Sequence, residues 1–267
     1  MIRRGTQSEL DGVDVAGPSD AQPIVFVHGA MFTRTMWAPQ RDALSDEFRV
    51  IVPDLPGHGS RSESQFRLEP ALELLDEVVE TEADGNAILV GLSLGGYVST
   101  AYAGRYPEKV DGLVISGCCP NPVDTMELLT RANGALSRLA TRSDRIERGV
   151  ERLGKRWVEN RDLPRDVERE ITDAGFYPKQ FGEAGAALAG WDFRAAFAAY
   201  PGPTLILNGE RDLVLRRGEK HHAAAAQDCQ IKIIAGVGHV CNLHRPTAYT
   251  DTVRTFARRA VAEYPRR

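Results

Sequence analysis

The chain is short of several things, and each shortage removes a class of function. Only four cysteines occur in 267 residues, Cys118, Cys119, Cys229 and Cys241. None has CxxC spacing, and the adjacent pair has poor geometry for bonding to itself, so a reducing, cytoplasmic setting is expected. Positive charge is in deficit: 33 Lys and Arg stand against 37 Asp and Glu, a formal net charge of −4. No basic field is available to gather nucleic acid or anionic lipid. No apolar run approaches the ~18 residues of a membrane span, and Arg3 and Arg4 are not followed by a signal-peptide apolar stretch. There is no GxGxxG or GxxxxGK[ST] loop, so no nucleotide cofactor is expected. His221 and His222 are consecutive rather than four apart, and no metal is expected.

What is present is alternation. Continuous apolar runs, many of them β-branched, recur at PIVFV (23–27), RVIVP (49–53), AILVG (87–91), VDGLVISG (110–117), PTLILNG (203–209) and IKIIAG (231–236). Runs without a polar partner at every second position suit strands buried on both faces of a parallel sheet. Helical stretches lie between them, WAPQRDALSDEF, LEPALELLDEVVE and LGGYVSTAYAGRY, with PTAYTDTVRTFARRAVAEY at the end. The expected class is α/β, doubly wound.

The alternation stops between about 119 and 190. Leu128, Leu129, Ala132, Leu136 and Leu139 fall at helical spacing, as do Ile146, Val150, Leu153 and Trp157, with Pro164 and Pro178 marking breaks. This stretch reads as a helical insertion, which divides the chain into a core of 1–118 and 191–267 and an inserted unit of 119–190. Trp157, Phe176, Tyr177, Phe181 and Trp191 are its candidates to roof a pocket, against the ordinary reading of helix-packing aromatics.

Chemistry concentrates in four places. GLSLGG, 91–96, puts Ser93 between glycines at a strand-to-helix turn, where side chains at Gly91 and Gly95 would collide. Ser93 is either the helix N-cap or an exposed nucleophile, and the Leu94 amide, at a helix N-terminus, suits a developing negative charge. HGAMFTRTMW, 28–37, bends back after a strand, and the Ala30 amide, or else Met31, would supply a second donor; His28 reads as a loop hydrogen-bonder. NGERD, 208–212, places Asp212 just beyond a strand end, as either an acid or a turn residue, with Glu210 and Asp124 as alternatives. GVGHVCNLHRP, 236–246, offers His239 as a general base, while His58, in PGHGS, reads as a loop residue. Cys118, Cys119 and Cys241 lie near these loops and read as buried rather than reactive.

Ser93, Asp212 and His239 occur in the chain order Ser, Asp, His, each at a strand end. On these motifs, and on PDLPGHGS at 53–60, the chain resembles the α/β-hydrolase superfamily over about 20–118 and 191–265. The resemblance implies an α/β-hydrolase fold, a mostly parallel doubly wound sheet opened by a short hairpin in TQSELDGVDVA, with a helical cap inserted after the sixth strand. It implies a serine hydrolase of small to medium carboxylic esters, with Ser93, His239 and Asp212 catalytic and Ala30 and Leu94 as the oxyanion hole. Serine at 93 excludes relatives that use an aspartate nucleophile. Lactonase or enol-lactonase, carbon–carbon bond hydrolase, cofactor-free haloperoxidase or perhydrolase, and acyltransferase chemistry share the same triad, and a non-catalytic ligand-binding receptor shares the fold. A small-molecule ester or lactone is the expected partner, and the sequence sets no oligomeric state.

Overall fold

The computed structural model describes residue 8 and residues 10–263. Seven strands form one sheet: β1 (Val13–Ala16), β2 (Pro23–Val27), β3 (Arg49–Pro53), β4 (Ala87–Leu92), β5 (Val110–Ser116), β6 (Pro203–Gly209) and β7 (Asp228–Ile234). Their spatial order is β1-β3-β2-β4-β5-β6-β7, with β1 antiparallel to β3 and every other pairing parallel. The helices are α1 (Ala38–Leu44), α2 (Leu68–Glu82), α3 (Leu94–Arg105), α4 (Asp124–Ala140), α5 (Asp144–Glu159), α6 (Arg165–Asp173), α7 (Pro178–Leu188), α8 (Phe193–Ala199), α9 (Glu219–Ala225), α10 (Cys241–His244) and α11 (Pro246–Glu263).

The continuous apolar runs are explained by the two cores they separate. Val25, Val27, Leu89, Leu113, Ile115 and Ile206 face one core with α2, α3 and α8. Ile24, Phe26, Ile88, Val90, Val114 and Leu205 face the other with α1 and α11. Successive side chains of a strand point to opposite faces, so a sheet covered on both sides is apolar at every position.

The helical excursion follows β5, the fifth described strand, which becomes the sixth when both strands of the expected opening hairpin are counted. Of the expected opening hairpin only β1 is described, and the remainder falls on residues outside those described. The last strand begins at Asp228, three positions before the apolar run at Ile231, because β6 pairs with it from Pro203 opposite Asp228 onward. Ladder hydrogen bonds extend an edge strand past its apolar residues.

Four helices, α4 to α7, fill the stretch between β5 and α8. Helix α4 packs on α7 through glycines: a Cβ on Gly185 would lie 3.2 Å from the Gly134 Cα. Arg41 on α1 donates to both oxygens of Glu170 on α6, at 2.6 and 2.9 Å, tying the excursion to the sheet layer.

Candidate active site

The turn between β4 and α3 is built around its glycines. A Cβ on Gly91 would overlap the Gly95 carbonyl, and one on Gly95 would overlap the Val27 carbonyl of the neighbouring strand. Ser93 between them has φ 56° and ψ −116°, a conformation a non-glycine residue holds only when its surroundings impose it. Its N–H donates to the Ser116 carbonyl at 2.7 Å, and its hydroxyl makes no helix-capping bond. Ser93 thus stands at the N-cap position of α3, its carbonyl accepting from Tyr97 N–H at 3.2 Å, without its hydroxyl capping the helix. Ser93 is partly exposed while Leu92 and Leu94 on either side are buried.

The structure brings His239 and Asp212 together. His239 Nδ1 lies 2.7 Å from Asp212 Oδ2, and a carboxylate accepting there fixes the proton on Nδ1 and leaves Nε2 as a lone-pair base. The second Asp212 oxygen accepts from the Leu215 N–H at 3.3 Å, so Asp212 is at once a turn residue and the partner of His239. Helix α9 starts later, after Gly218. Beneath the pair lies Gly117, at φ 60°, where a Cβ would stand 2.6 Å from the His239 ring. Gly117 N–H donates to Asn208 Oδ1 at 2.8 Å. The residue that underlies the His–Asp pair thus follows directly on Ser116, whose carbonyl holds Ser93.

The alternatives to Asp212 lie elsewhere. Glu210 accepts from the Gly236 N–H at 2.7 Å, and Asp124 is exposed at the start of α4 with φ 54°.

The loop after β2 borders the serine: a Cβ on Gly29 would lie 3.6 Å from Ser93 Cβ. His28 is buried, its Nε2 accepts from Leu55 N–H at 2.9 Å and its Nδ1 therefore carries the proton given to the Gly29 carbonyl, also at 2.9 Å. Burial, and secondarily the neighbouring His58, holds His28 well below the usual histidine range, so it is neutral. The Gly29 carbonyl also accepts from Phe32 N–H at 3.1 Å, closing a turn. Peptide units are planar and none here is cis, so the Ala30 N–H points away from that clamped carbonyl. Among the described residues neither Ala30 nor Met31 donates its N–H to a backbone acceptor. Leu94, the first residue of α3, has an N–H that precedes intrahelical bonding.

The PDLPGHGS loop is pinned by buried Asp54, which accepts from Arg34 N–H at 2.9 Å and Ser60 N–H at 3.1 Å and pairs with the Arg34 guanidinium. His58 is buried within it. The thiols of Cys119 and Cys241 are pushed up to about 12 by burial, and Cys118 also well above its usual value for the same reason. These groups are neutral thiols at ordinary pH. Of the candidate aromatics, Phe176 stacks edge-on to Phe32 at 5.5 Å, Tyr177 to His58 at 5.7 Å, and Trp157 to His244 at 6.5 Å. Trp191 reaches Phe193, which in turn packs on Tyr97 at 4.7 Å, while Phe181 is exposed. Asn208, Ser116 and the glycine at 117 escaped sequence reasoning; a glycine ending an apolar run was the available signal for the last.

A buried parallel sheet carrying a strained serine turn, a histidine–carboxylate pair and a bent-back loop at its strand ends defines a class, and comparison with known proteins agrees. The model of the family described as "Alpha/beta hydrolase family" matches residues 24–252, and the chain belongs to that family. It is 26% identical over 91% of its length to an uncharacterized carboxylesterase of Bacillus subtilis (strain 168), covering 82% of that protein. It is 25% identical over 88% of its length to a pimeloyl-[acyl-carrier protein] methyl ester esterase of Nitrosospira multiformis, covering 94% of it. Among solved structures, a thermophilic esterase from Thermogutta terrifontis with malate bound matches with TM-score 0.73 and 26% identity over 93% of each chain.

Proposed function

We propose that this protein is a serine hydrolase that cleaves a small to medium carboxylic ester through an acyl-enzyme, with Ser93 as nucleophile, His239 as general base and Asp212 as its orienting acid. The observation that carries the reading is the coincidence, at the carboxyl ends of the sheet's strands, of a serine held at φ 56° and a histidine whose Nδ1 is committed to a carboxylate at 2.7 Å. Nε2 of His239 takes the Ser93 proton as the hydroxyl attacks the ester carbonyl, and the imidazolium is stabilised by Asp212. The amides of Ala30 and Leu94 receive the negative charge on the carbonyl oxygen. His239 then returns the proton to the leaving alcohol, activates water against the acyl-enzyme, and releases the acid. The esterase names of the relatives support an ester as the substrate class. We take helices α4 to α7 as a cap that selects the substrate. Four free cysteines support a reducing, cytoplasmic setting. Among the described residues no helix is long and apolar enough to cross a membrane.

The test is hydrolysis of p-nitrophenyl acetate, butyrate, octanoate and laurate, with fluorophosphonate labelling, by the wild type and Ser93→Ala. Turnover and labelling in the wild type, both lost in Ser93→Ala, support the reading. A folded wild type that neither turns over any ester nor takes the label overturns it.

A further inference from the structure

Three successive carbonyls of the loop beside Ser93 are each held by a different donor, two of them from distant parts of the chain. The Gly29 carbonyl accepts from His28 Nδ1–H, the Ala30 carbonyl lies 2.8 Å from His58 Nε2, and the Met31 carbonyl accepts from Tyr177 N–H at 3.0 Å. His58 belongs to the loop after β3, and Tyr177 to the junction of α6 and α7. A hydrogen-bonded carbonyl fixes its peptide plane, and with it the direction of the next residue's N–H, so His28 sets the plane that carries the Ala30 N–H and His58 the plane that carries the Met31 N–H. We propose that His58 is a positioning residue for the oxyanion hole, clamping through the Ala30 carbonyl the second of the two peptide planes that flank Ala30, and that the α6–α7 junction locks the same loop from the other side. The inference rests on the hydrolase reading above.

The surroundings of His58 fit a post with this one task. The ring is buried, edge-on to His28 at 4.7 Å and to Tyr177 at 5.7 Å. Its two nitrogens both face carbonyls, Ala30 at 2.8 Å and Pro56 at 3.1 Å. Burial lowers its pKa, so the ring is neutral with one proton to give, and the shorter contact places that proton on Nε2. A neutral donor adds no charge that would compete with the oxyanion. Gln180 on α7 completes the lock: it is buried, its Oε1 accepts from Phe66 N–H at 3.2 Å, and it lies directly against Gly57, the residue before His58. Oxyanion geometry is therefore framed partly by the helical excursion, although no side chain of the excursion need touch the reacting carbonyl.

The experiment compares wild type, His58→Leu and His58→Gln on the ester the wild type hydrolyses best. It measures kcat, KM, thermal midpoint, and inhibition by a trifluoromethyl ketone, whose adduct carries an oxyanion, beside the matching methyl ketone. Loss of an aligned oxyanion donor costs roughly 10²–10³ in rate; for a donor that is misaligned rather than removed, His58→Leu is expected to lower kcat by about 10- to 100-fold with KM within about threefold. Trifluoromethyl ketone affinity falls with kcat and methyl ketone affinity does not. His58→Gln, whose amide can donate from the Nε2 position, recovers most of both. If His58→Leu does not fold, Gln180→Ala carries the test, with the same pattern at smaller size. A folded His58→Leu with wild-type kcat overturns the proposal. So does a loss expressed in KM, or one that leaves trifluoromethyl ketone affinity intact. A wild type without esterase activity or label overturns the hydrolase reading and this inference with it, whereas an active, labelled wild type matched by His58→Leu overturns the inference alone.

Discussion

The sheet layer and the helical excursion treat their large apolar side chains in opposite ways. In β4, Ile88, Leu89 and Val90 are fully buried. In α4 and α5, Leu128 is 72% exposed, Leu136 66% and Leu153 65%. Both regions carry a clear apolar pattern in sequence, an unbroken run in one and helical spacing in the other, yet only the first is covered. Helix α4 meets α7 through Gly134, on the side away from its leucine stripe. Apolar spacing thus identifies a helix without saying that the stripe is covered. Close glycine contact, rather than leucine burial, holds this pair of helices together.

That contrast leads to graded expectations. The largest effect falls at the carboxyl ends of the strands: Asp212→Asn should lower kcat by about 10⁴-fold, as expected when a histidine loses the acceptor that sets its tautomer. Its thermal midpoint should stay within a few degrees, and a variant with near wild-type kcat would remove Asp212 from the mechanism. Next, Leu89→Ala should cost about 2–5 kcal/mol in urea unfolding, the usual result of a cavity between two packed layers; a cost below about 1 kcal/mol would show that the sheet is less closely covered than it is drawn.

A pH effect follows in size. Burial holds His222 neutral, with its pKa pushed down to about 4 from 6.5, against Phe197 at 5.4 Å. Above 6.5 neither state binds a proton, and the full stability is present. As the pH falls from 6.5 towards 4 the unfolded chain gains a proton that the folded one refuses, and up to about 3 kcal/mol is lost. Buried His28 and His58 act in the same direction. Urea midpoints between pH 7 and 4.5 should fall less steeply in His222→Gln than in the wild type, and equal slopes would contradict the assignment. The smallest effect belongs to the excursion: Leu136→Gln should alter stability by no more than about 0.5 kcal/mol. A cost above 1 kcal/mol would mean that the stripe is covered in solution and would break the contrast.

Legibility followed the same division. The runs at 23–27, 49–53 and 203–209 coincide with β2, β3 and β6 because strands buried on both faces leave an unbroken apolar record. The apolar run puts the start of the last strand late, at Ile231 instead of Asp228, since Cys229 and Gln230 enter the sheet by pairing with β6 rather than by their own polarity. The loops that carry Ser93, His239 and Asp212 are legible as strand-end turns because tight turns require glycine nearby. Asn208 and Ser116 are not, since an amide or hydroxyl at a strand end carries no local mark of what it will bond. In PGHGS, His58 reads only as a loop residue; its bond to Ala30, 28 positions away, has no trace in the spacing of either motif.

What the sequence determined by itself is the class of fold and the residues able to do chemistry: apolar runs that need two covering layers, and glycines that only a sharp strand-to-helix turn demands. What the tertiary structure decided is which of those residues meet. Among Asp212, Glu210 and Asp124, only Asp212 reaches His239, and only folding could select it, because a hydrogen bond is satisfied by distance and direction in space while sequence records neither.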